Sequence, residues 1–389
     1  MAFNFETERS GNIMNFNKLL KRTSKTIAKL PGALKAIKRM VSDPELSRSY
    51  YPDDPRKSKT AIWLDLLWWW LRHQEINDFY FYYGLDRKKG VHHTDFMSYS
   101  EFRKMRDRCN RKASASHHYN YVCILRDKFV FGQFVSSLGF RTPKNLALFM
   151  NGAVCWLDGK REIALADLCG SSDYDGDYFC KSLAGLGGEG AFPLRISAGR
   201  FFVGGQEIDL EQLRAKLNGD YLLQEALSQH PEMNKLYPHA INTIRILTFR
   251  NGEQITVLSA IMRIGTGGNR VDNHSCGGLI ARIDLTSGRM SGDGIFAPGK
   301  GTRTLCHPDT SVVIDGFQIP FFPEAVRCVT GLHRYLYGVH SVGWDVGITP
   351  EGPIIIEGND NWGGCFSFAF EPGFKVRFLQ ACAIVPEQR

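Results

Sequence analysis

The sequence lacks an apolar run of the roughly 18 residues needed to span a bilayer, and it lacks internal repeats and low-complexity segments. Integral membrane, solenoid and fibrous proteins are therefore not indicated. Its 10 cysteines include no Cys-x-x-Cys pair and no regular spacing, so we expect buried or free thiols in a reducing compartment rather than a disulfide framework. No apolar segment typical of a secretory signal follows Met1. We therefore expect a cytoplasmic protein.

The composition is that of a globular protein with a basic leader. The chain has 389 residues, of which 43% are hydrophobic and 23% charged, enough for two or three sub-domains. Residues 1–60 carry 13 Lys and Arg against 6 Asp and Glu, a difference of +7 out of a total of +8. Such a leader can contact nucleic acid, an anionic membrane surface or an acidic partner, although a solvated helical face is at least as good an explanation. We expect no nucleic-acid partner.

The N-terminal region favours helices. Basic and apolar residues alternate through 16–40 with a spacing typical of amphipathic helices, which we expect to be interrupted at Pro31 and Gly32. A basic amphipathic helix can lie on a membrane or dock on the protein itself. Residues 61–71 are almost wholly apolar, which predicts a buried helix. Residues 77–83 include five consecutive aromatic side chains, which favour core packing over sugar stacking.

A hairpin near the C-terminus carries the strongest chemical signal. Two strand-like runs flank a Pro- and Gly-rich turn at 349–353. The first run carries Asp345, and the second carries Glu357 and Asn359, which alternation places on one face. Strand pairing can bring the three together as an oxygen-rich cluster suited to Mg²⁺. A solvated hairpin end with ordinary polar turn residues is the alternative.

The sequence of this hairpin resembles the metal-binding end of the ATP-grasp superfamily. In it, Asp345 is followed, after three branched apolar residues, by Glu357-x-Asn359. More narrowly, it is similar to the sugar-transfer-associated ATP-grasp family. The resemblance implies an α+β fold in which two sub-domains clasp ATP, with an N-terminal helical extension and one or two Mg²⁺ ions. The implied organisation is a leader, a helical aromatic-rich region, a nucleotide-binding sub-domain and a metal-binding sub-domain over residues 1–60, 61–120, 121–226 and 227–389.

The resemblance implies that two lysines bind the phosphates of a nucleotide. The pattern predicts a helix over 127–138, and Lys128 takes the place of a phosphate-binding lysine. Lys181 ends a predicted strand and precedes a loop containing Gly185, Gly187 and Gly188, where backbone N–H groups can approach phosphate oxygens. Taken alone, these features indicate surface lysines and a mobile turn.

The resemblance also places a hinge near the end of the strand predicted over 221–227. In ATP-grasp proteins the adenine edge bonds the backbone at this hinge. The candidates are Gln224, Glu225 and Leu227. An ordinary strand end is the alternative.

Two arginines are the candidate charge-stabilising groups. The run Asn242-Thr243-Ile244-Arg245-Ile246 is family-like, and alternation places Arg245 away from the apolar face, where an anion or a structural carboxylate can pair with it. Arg263 ends a second strand that leads into a Gly- and Asn-rich loop, also family-like, containing Asp272 and Asn273. Many ATP-grasp ligases carry an arginine two residues beyond the metal-binding asparagine. Here that position is Asn361, so Arg245 or Arg263 must supply the charge.

The resemblance implies an ATP- and Mg²⁺-dependent ligase that activates a carboxylate as an acylphosphate and couples it to an amine. The expected catalytic residues are Arg245, Arg263 and Asn273. Polysaccharide decoration and peptide-like natural-product synthesis both suit this chemistry. A small-molecule or sugar kinase and a nucleotide-binding scaffold of polysaccharide export are the alternatives.

Overall fold

The protein is described by a computed structural model covering residues 27–115, 121–159, 161–183, 185, 190–274, 277–364, 371 and 373–383. The chain divides into two compact units. The first unit comprises residues 1–100 with 298–302, and the second comprises 101–297 with 303–389. The four functional regions predicted from the sequence, over residues 1–60, 61–120, 121–226 and 227–389, stay a prediction.

The first unit is helical. Its described helices are α1 (residues 27–42) and α2 (Lys59–His73). The interruption predicted at Pro31 and Gly32 is wrong, because α1 runs through both residues. Pro31 removes one backbone donor, but Ala33, Ile37 and Met40 are buried along one face and hold the helix in place.

Helix α2 is well capped. The Ser58 side chain accepts a hydrogen bond from the Ala61 amide, and Gln74 ends the helix in a left-handed conformation with φ of 58°. The prediction of a buried helix holds for one face only. That face buries Ile62, Leu66, Trp69 and Trp70.

The remaining described helices are short to medium in length. They are α3 (Tyr99–Ala115), α4 (Val122–Arg126), α5 (Lys128–Ser137), α6 (Leu210–Lys216), α7 (Pro231–Leu236), α8 (Phe322–His333) and α9 (Phe374–Ala383). Helix α5 matches the predicted helix, and Asp127 caps it by accepting from the Val130 amide. In the part of the chain that the structure describes, every helix is too short or too polar to cross a membrane.

An eight-stranded antiparallel sheet forms one half of the second unit. Its strands are β1 (Asn145–Met150), β2 (Ala153–Trp156), β3 (Arg161–Ala164), β4 (Gly176–Ser182), β5 (Phe192–Ser197), β6 (Arg200–Val203), β7 (Gln206–Ile208) and β8 (Tyr221–Glu225). Their order across the sheet is β3-β2-β1-β8-β4-β5-β6-β7. The predicted strand over 221–227 therefore ends at Glu225.

A seven-stranded antiparallel sheet forms the other half. Its strands are β9 (Thr243–Asn251), β10 (Gln254–Ile264), β11 (Leu279–Ile283), β12 (Met290–Phe296), β13 (Arg303–Thr304), β14 (Ser341–Thr349) and β15 (Gly352–Asn359). Their order is β13-β12-β11-β10-β9-β14-β15, which places β9 between β10 and β14. The two chain-distant halves of the predicted site thus meet on neighbouring strands.

One face of this second sheet packs into a large hydrophobic cluster. Ile244 and Ile246 of β9 pack with Trp344 of β14 and with Val329 and Leu332 of α8. Alternation then turns Thr243 and Arg245 to the opposite face, as the sequence predicts. The apolar face therefore anchors the sheet, while the polar face carries the candidate site.

A buried hydrogen-bond chain ties β14 and β9 to helix α8. The Trp344 indole donates to Thr248 Oγ1 at 2.7 Å, and the Thr248 hydroxyl lies 2.8 Å from His333 Nδ1. His333 Nε2 lies 3.0 Å from the Val339 carbonyl, which requires the proton on that nitrogen. Burial lowers the pKa of His333, which favours the neutral ring inside the core.

Candidate active site

The C-terminal hairpin brings together the three predicted metal ligands. Strands β14 and β15 pair so that Asp345 lies opposite Glu357 and Gly343 lies opposite Asn359. The amide of Asn359 donates to Glu357 Oε1 at 3.1 Å. Asp345 is buried, whereas Glu357 and Asn359 are half-buried. Because residues paired across strands share a face, the two carboxylates and the carboxamide form one cluster.

Two arginines from neighbouring strands converge on this cluster. Arg245 lies directly opposite Asp345 in the β9–β14 pair. Its Nε donates to Asp345 Oδ1 and its Nη2 donates to Oδ2, the latter at 2.9 Å. Arg263 of β10 adds a third hydrogen bond, from Nη1 to Asp345 Oδ2 at 2.9 Å. The arrangement is a bidentate arginine–carboxylate pair reinforced by a second guanidinium.

Asp272 fixes the other side of Arg263. It accepts from Arg263 Nη2 at 3.2 Å, from the Thr243 amide at 3.0 Å, and from the Thr243 hydroxyl. Sequence reasoning singled out the loop of Asp272 and Asn273 but assigned the role to Asn273. The carbonyl of Asn273 accepts from the Gly278 amide at 3.2 Å, and the residue is half-buried. The sequence did offer a signal for Asp272, because this acidic residue follows soon after the strand that carries Arg263 and could pair with it.

The charges in the cluster shift one another's titration. Burial alone would raise the pKa of Asp345, but Arg245 and Arg263 outweigh it and hold that pKa far below its usual value. Burial raises the pKa of Glu357, and the adjacent Asp345 carboxylate raises it further. Burial also raises the pKa of Asp272, although Arg263 partly offsets this. Closely packed groups with opposed shifts are typical of functional sites.

The two predicted phosphate-binding lysines interact electrostatically with Glu357 of the cluster. Lys128 Nζ, at the start of α5, donates to the Ser182 carbonyl at 2.9 Å and to the Gly185 carbonyl at 2.6 Å. Burial lowers the pKa of both Lys128 and Lys181, and the negative charge of Glu357 opposes that lowering in both cases. Both ammonium groups are therefore close enough to Glu357 to interact with it electrostatically. The predicted loop residues Gly187 and Gly188 lie outside the described residues.

The predicted hinge residues lie at and beyond the end of β8. Gln224 is buried, and its Nε2 donates to Asn145 Oδ1 at 2.9 Å, whereas its Oε1 has no hydrogen-bond partner in the described structure. Glu225 Oε1 accepts from the Lys144 amide at 2.9 Å. Leu227 is half-buried and follows the strand. An unpaired buried acceptor is costly, so Gln224 is suited to accept a hydrogen bond from a bound molecule.

A further ion pair, at the edge of the site, was not predicted from the sequence. Arg126, two residues before Lys128, donates from Nε to Asp360 Oδ1 at 3.1 Å and from Nη2 to Oδ2 at 2.7 Å. Asp360 follows Asn359 directly. The pair therefore links the end of α4 to the residue that follows β15, although no local sequence signal relates residues so distant in the chain.

The donor set fits a hard cation. Within the described ranges no three His, Cys, Asp or Glu side chains come together, so a site built from those residues alone is absent there. The cluster instead offers two carboxylates and an amide, which are ligand types that Mg²⁺ accepts when substrate phosphates complete its shell. An ionised carboxylate has about four lone-pair sites, so Asp345 can bind a cation while keeping its arginine partners.

A family model provides the decisive comparison. Residues 107–383 match the model of the sugar-transfer associated ATP-grasp family. The chain belongs to that family. The family resemblance found in the hairpin sequence is thereby confirmed, and so is the predicted ATP-grasp fold. No curated protein sequence matches this ATP-grasp chain.

Solved structures with a similar arrangement are remote in sequence. The ADP complex of N5-carboxyaminoimidazole ribonucleotide synthetase is 13% identical, with a TM-score of 0.35, covering 61% of this chain and 45% of that one. D-Alanine-D-alanine ligase from Helicobacter pylori is 8% identical, with a TM-score of 0.38 and coverages of 68% and 60%. The ATP complex of D-alanine–D-alanine ligase from Bacillus anthracis is 12% identical, with a TM-score of 0.33 and coverages of 66% and 68%.

This ATP-grasp chain thus spans only 45% and 60% of the first two of these enzymes. The activities of those enzymes are not transferred to this chain. Its membership of the ATP-grasp family rests on the family model. The eight cysteines of the described residues form no disulfide bond with one another.

Proposed function

We propose that this protein is an ATP- and Mg²⁺-dependent ligase that joins a carboxylate to an amine. The observation that carries the proposal is the convergence of Asp345, Glu357 and Asn359 with Arg245 and Arg263 on one sheet face. The two lysines near Glu357 add positive charge where a triphosphate would lie. Such chemistry asks the protein mainly to orient reactants and to neutralise charge.

Each group has a distinct part in this proposal. Asp345, Glu357 and Asn359 would hold Mg²⁺, which supplies charge neutralisation at the phosphates when bound. Lys128 and Lys181 would bind phosphate oxygens together with the backbone around Gly185. The side-chain oxygen of Gln224 would accept a hydrogen bond from the adenine amino group, with Glu225 and Leu227 beside it. These residues together would bind and orient the nucleotide.

The arginines would act on the acceptor side. Arg245 and Arg263 would stabilise negative charge on the transferred phosphoryl group, and the loop of Asn273 would help to orient the acid. The proposed reaction moves the terminal phosphoryl group of ATP onto a carboxylate and then releases phosphate as an amine forms the amide bond. The substrates are therefore a small-molecule acid and amine. Polysaccharide decoration or peptide-like natural-product synthesis in the cytoplasm would use this reaction.

The experiment is a phosphate-release screen with the full chain, ATP and Mg²⁺. Amino acids and sugar acids are offered singly, each with and without a pool of amines, and products are identified by mass spectrometry. Release that requires both an acid and an amine, with an amide product, supports the ligase. A stable phosphorylated product formed without an amine would instead establish a kinase.

A third outcome addresses the scaffold alternative. Calorimetric titration with a non-hydrolysable ATP analogue measures nucleotide binding independently of turnover. Tight binding with no release for any acid or amine would contradict the ligase and favour a nucleotide-binding scaffold.

A further inference from the structure

Helix α2 exposes a continuous apolar stripe in addition to its buried face. Leu64, Trp68 and Leu71 are 57%, 47% and 56% exposed, respectively. Their spacing of four and three residues aligns them along one side of the helix. A helix that is apolar all round is normally buried on all sides or inserted in lipid, so this stripe calls for a second partner.

The one acidic residue of this segment does not interrupt the stripe. Asp65 accepts from Lys57 Nζ at 2.7 Å and from the Tyr80 hydroxyl at 2.8 Å. Its carboxylate is therefore bound inside the first unit and its charge is compensated by Lys57. The outward side of α2 between residues 61 and 71 is consequently apolar without a free carboxylate.

Basic residues flank the stripe at both ends. Lys59 at the start of α2 and Arg72 near its end are exposed, and the Arg72 guanidinium lies over the Trp68 ring, 5.7 Å from its centroid. Residues 9–42 contain nine Lys and Arg and no Asp or Glu. Within this range, the basic residues on α1 are all exposed, namely Lys29, Lys35, Lys38 and Arg39.

We propose that α2 lies flat on an anionic lipid surface, with Leu64, Trp68 and Leu71 inserted at the interface and the basic residues of α1 and α2 held by the lipid headgroups. Tryptophan suits this position because its ring is apolar while its N–H can reach water. Each basic residue near such a surface adds a favourable electrostatic contribution, and the apolar stripe adds burial. A second copy of the chain is a poorer occupant, since a two-fold contact through this face would oppose like charges.

The test is co-sedimentation of the full chain with lipid vesicles at low ionic strength. One set of vesicles contains phosphatidylcholine alone, and the other contains phosphatidylcholine with phosphatidylglycerol. We expect binding to the anionic vesicles, weakened by salt, and much less to the neutral ones. The triple variant Leu64→Ser, Trp68→Ser, Leu71→Ser should bind at least about tenfold more weakly, because three apolar side chains no longer leave water.

Two controls keep the outcome specific. Leu305→Ser changes a side chain that is 69% exposed in the second unit and should leave binding unchanged. The triple variant should keep the far-ultraviolet circular dichroism and melting temperature of the wild type, because the substituted side chains are exposed. Quenching of tryptophan fluorescence by brominated lipid should be reduced in Trp68→Phe, which reports insertion at that residue directly.

Several outcomes would overturn the proposal. These are equal binding to both vesicle types, undiminished binding of the triple variant, and unchanged quenching in Trp68→Phe. Light scattering that shows a wild-type dimer converted to a monomer by the triple variant would identify the stripe as a contact between copies. Since none of these measurements uses ATP, the proposal stands or falls independently of the ligase activity.

Discussion

Arg245 and Asp345 face each other across β9 and β14, and the guanidinium donates two hydrogen bonds to the carboxylate. One hundred positions in the chain separate the two residues, so only sheet pairing brings them together. Arg263 contacts the same carboxylate, and Glu357 lies opposite it on β15. Asp345 is therefore the point at which the predicted metal ligands and the predicted arginines become one site.

The first prediction concerns Glu357. Glu357→Gln should abolish phosphate release while leaving the protein folded, because the change removes a charged ligand but keeps the shape of the side chain. Its stability should not fall, since repulsion with Asp345 is relieved. Phosphate release at increasing Mg²⁺ and thermal unfolding measure the two effects. Glu351→Gln, in the exposed turn of the same hairpin, is the matched control and should retain full activity. Full activity of Glu357→Gln would refute the metal assignment.

The second prediction concerns Asp272. Asp272→Asn keeps a hydrogen-bond acceptor for Thr243 but replaces the charged acceptor for the Arg263 guanidinium with a neutral one. Turnover should therefore fall at least about tenfold, with a smaller change in the apparent affinity for ATP. Unfolding free energy should fall by roughly 1–3 kcal/mol, because a buried charged hydrogen-bond acceptor is lost. Steady-state kinetics and chemical denaturation give both values. Asp315→Asn, whose side chain accepts from the Gly292 amide, is the control. Loss of stability with unchanged turnover would show that Asp272 is structural only.

The third prediction concerns the glycine between two of the candidate ligands. A Cβ on Gly358 would lie 2.9 Å from Leu125 Cδ2 and 3.0 Å from Trp344 Cζ3. Gly358→Ala should therefore lower the unfolding free energy by about 1–3 kcal/mol and displace Glu357 and Asn359, with a loss of activity. Denaturation and phosphate release check this result.

A nearby glycine provides the control for this substitution. Gly363 has no heavy atom within 4 Å of an added Cβ, so Gly363→Ala should change stability little. Equal stabilities of the two alanine variants would contradict the packing argument at Gly358.

The fourth prediction concerns acid stability. Burial lowers the pKa of His333 to about 3 and that of His340 to about 4. In the unfolded chain both titrate near 6.5, so between these limits the unfolded state binds more protons. Unfolding free energy should therefore be highest above about pH 6.5 and fall as the pH is lowered, by up to about 1.4 kcal/mol per pH unit for each histidine.

Urea denaturation between pH 7.5 and pH 5 measures this slope. His333→Gln should be less stable at neutral pH, because the hydrogen bonds to Thr248 and Val339 are disturbed. Its slope should nevertheless be smaller by close to one proton. An unaltered slope in His333→Gln would show that His333 does not titrate on unfolding.

Local patterns predicted the elements that carry the site. The local pattern predicted a helix over 127–138, the Pro- and Gly-rich turn predicted the β14–β15 hairpin, and alternation predicted that Thr243 and Arg245 share a face. These predictions succeed because helix periodicity, turn chemistry and strand alternation depend on residues close together in the chain.

By itself, then, the sequence determined the family and the short elements that hold the candidate ligands. Only the tertiary structure decided that Arg245 lies opposite Asp345, that Asp272 holds Arg263, and which side of α2 remains exposed. The physical reason is that strand register and burial depend on partners distant in the chain. A local pattern can show that a side chain needs a neighbour, but only the packed chain determines which neighbour it receives.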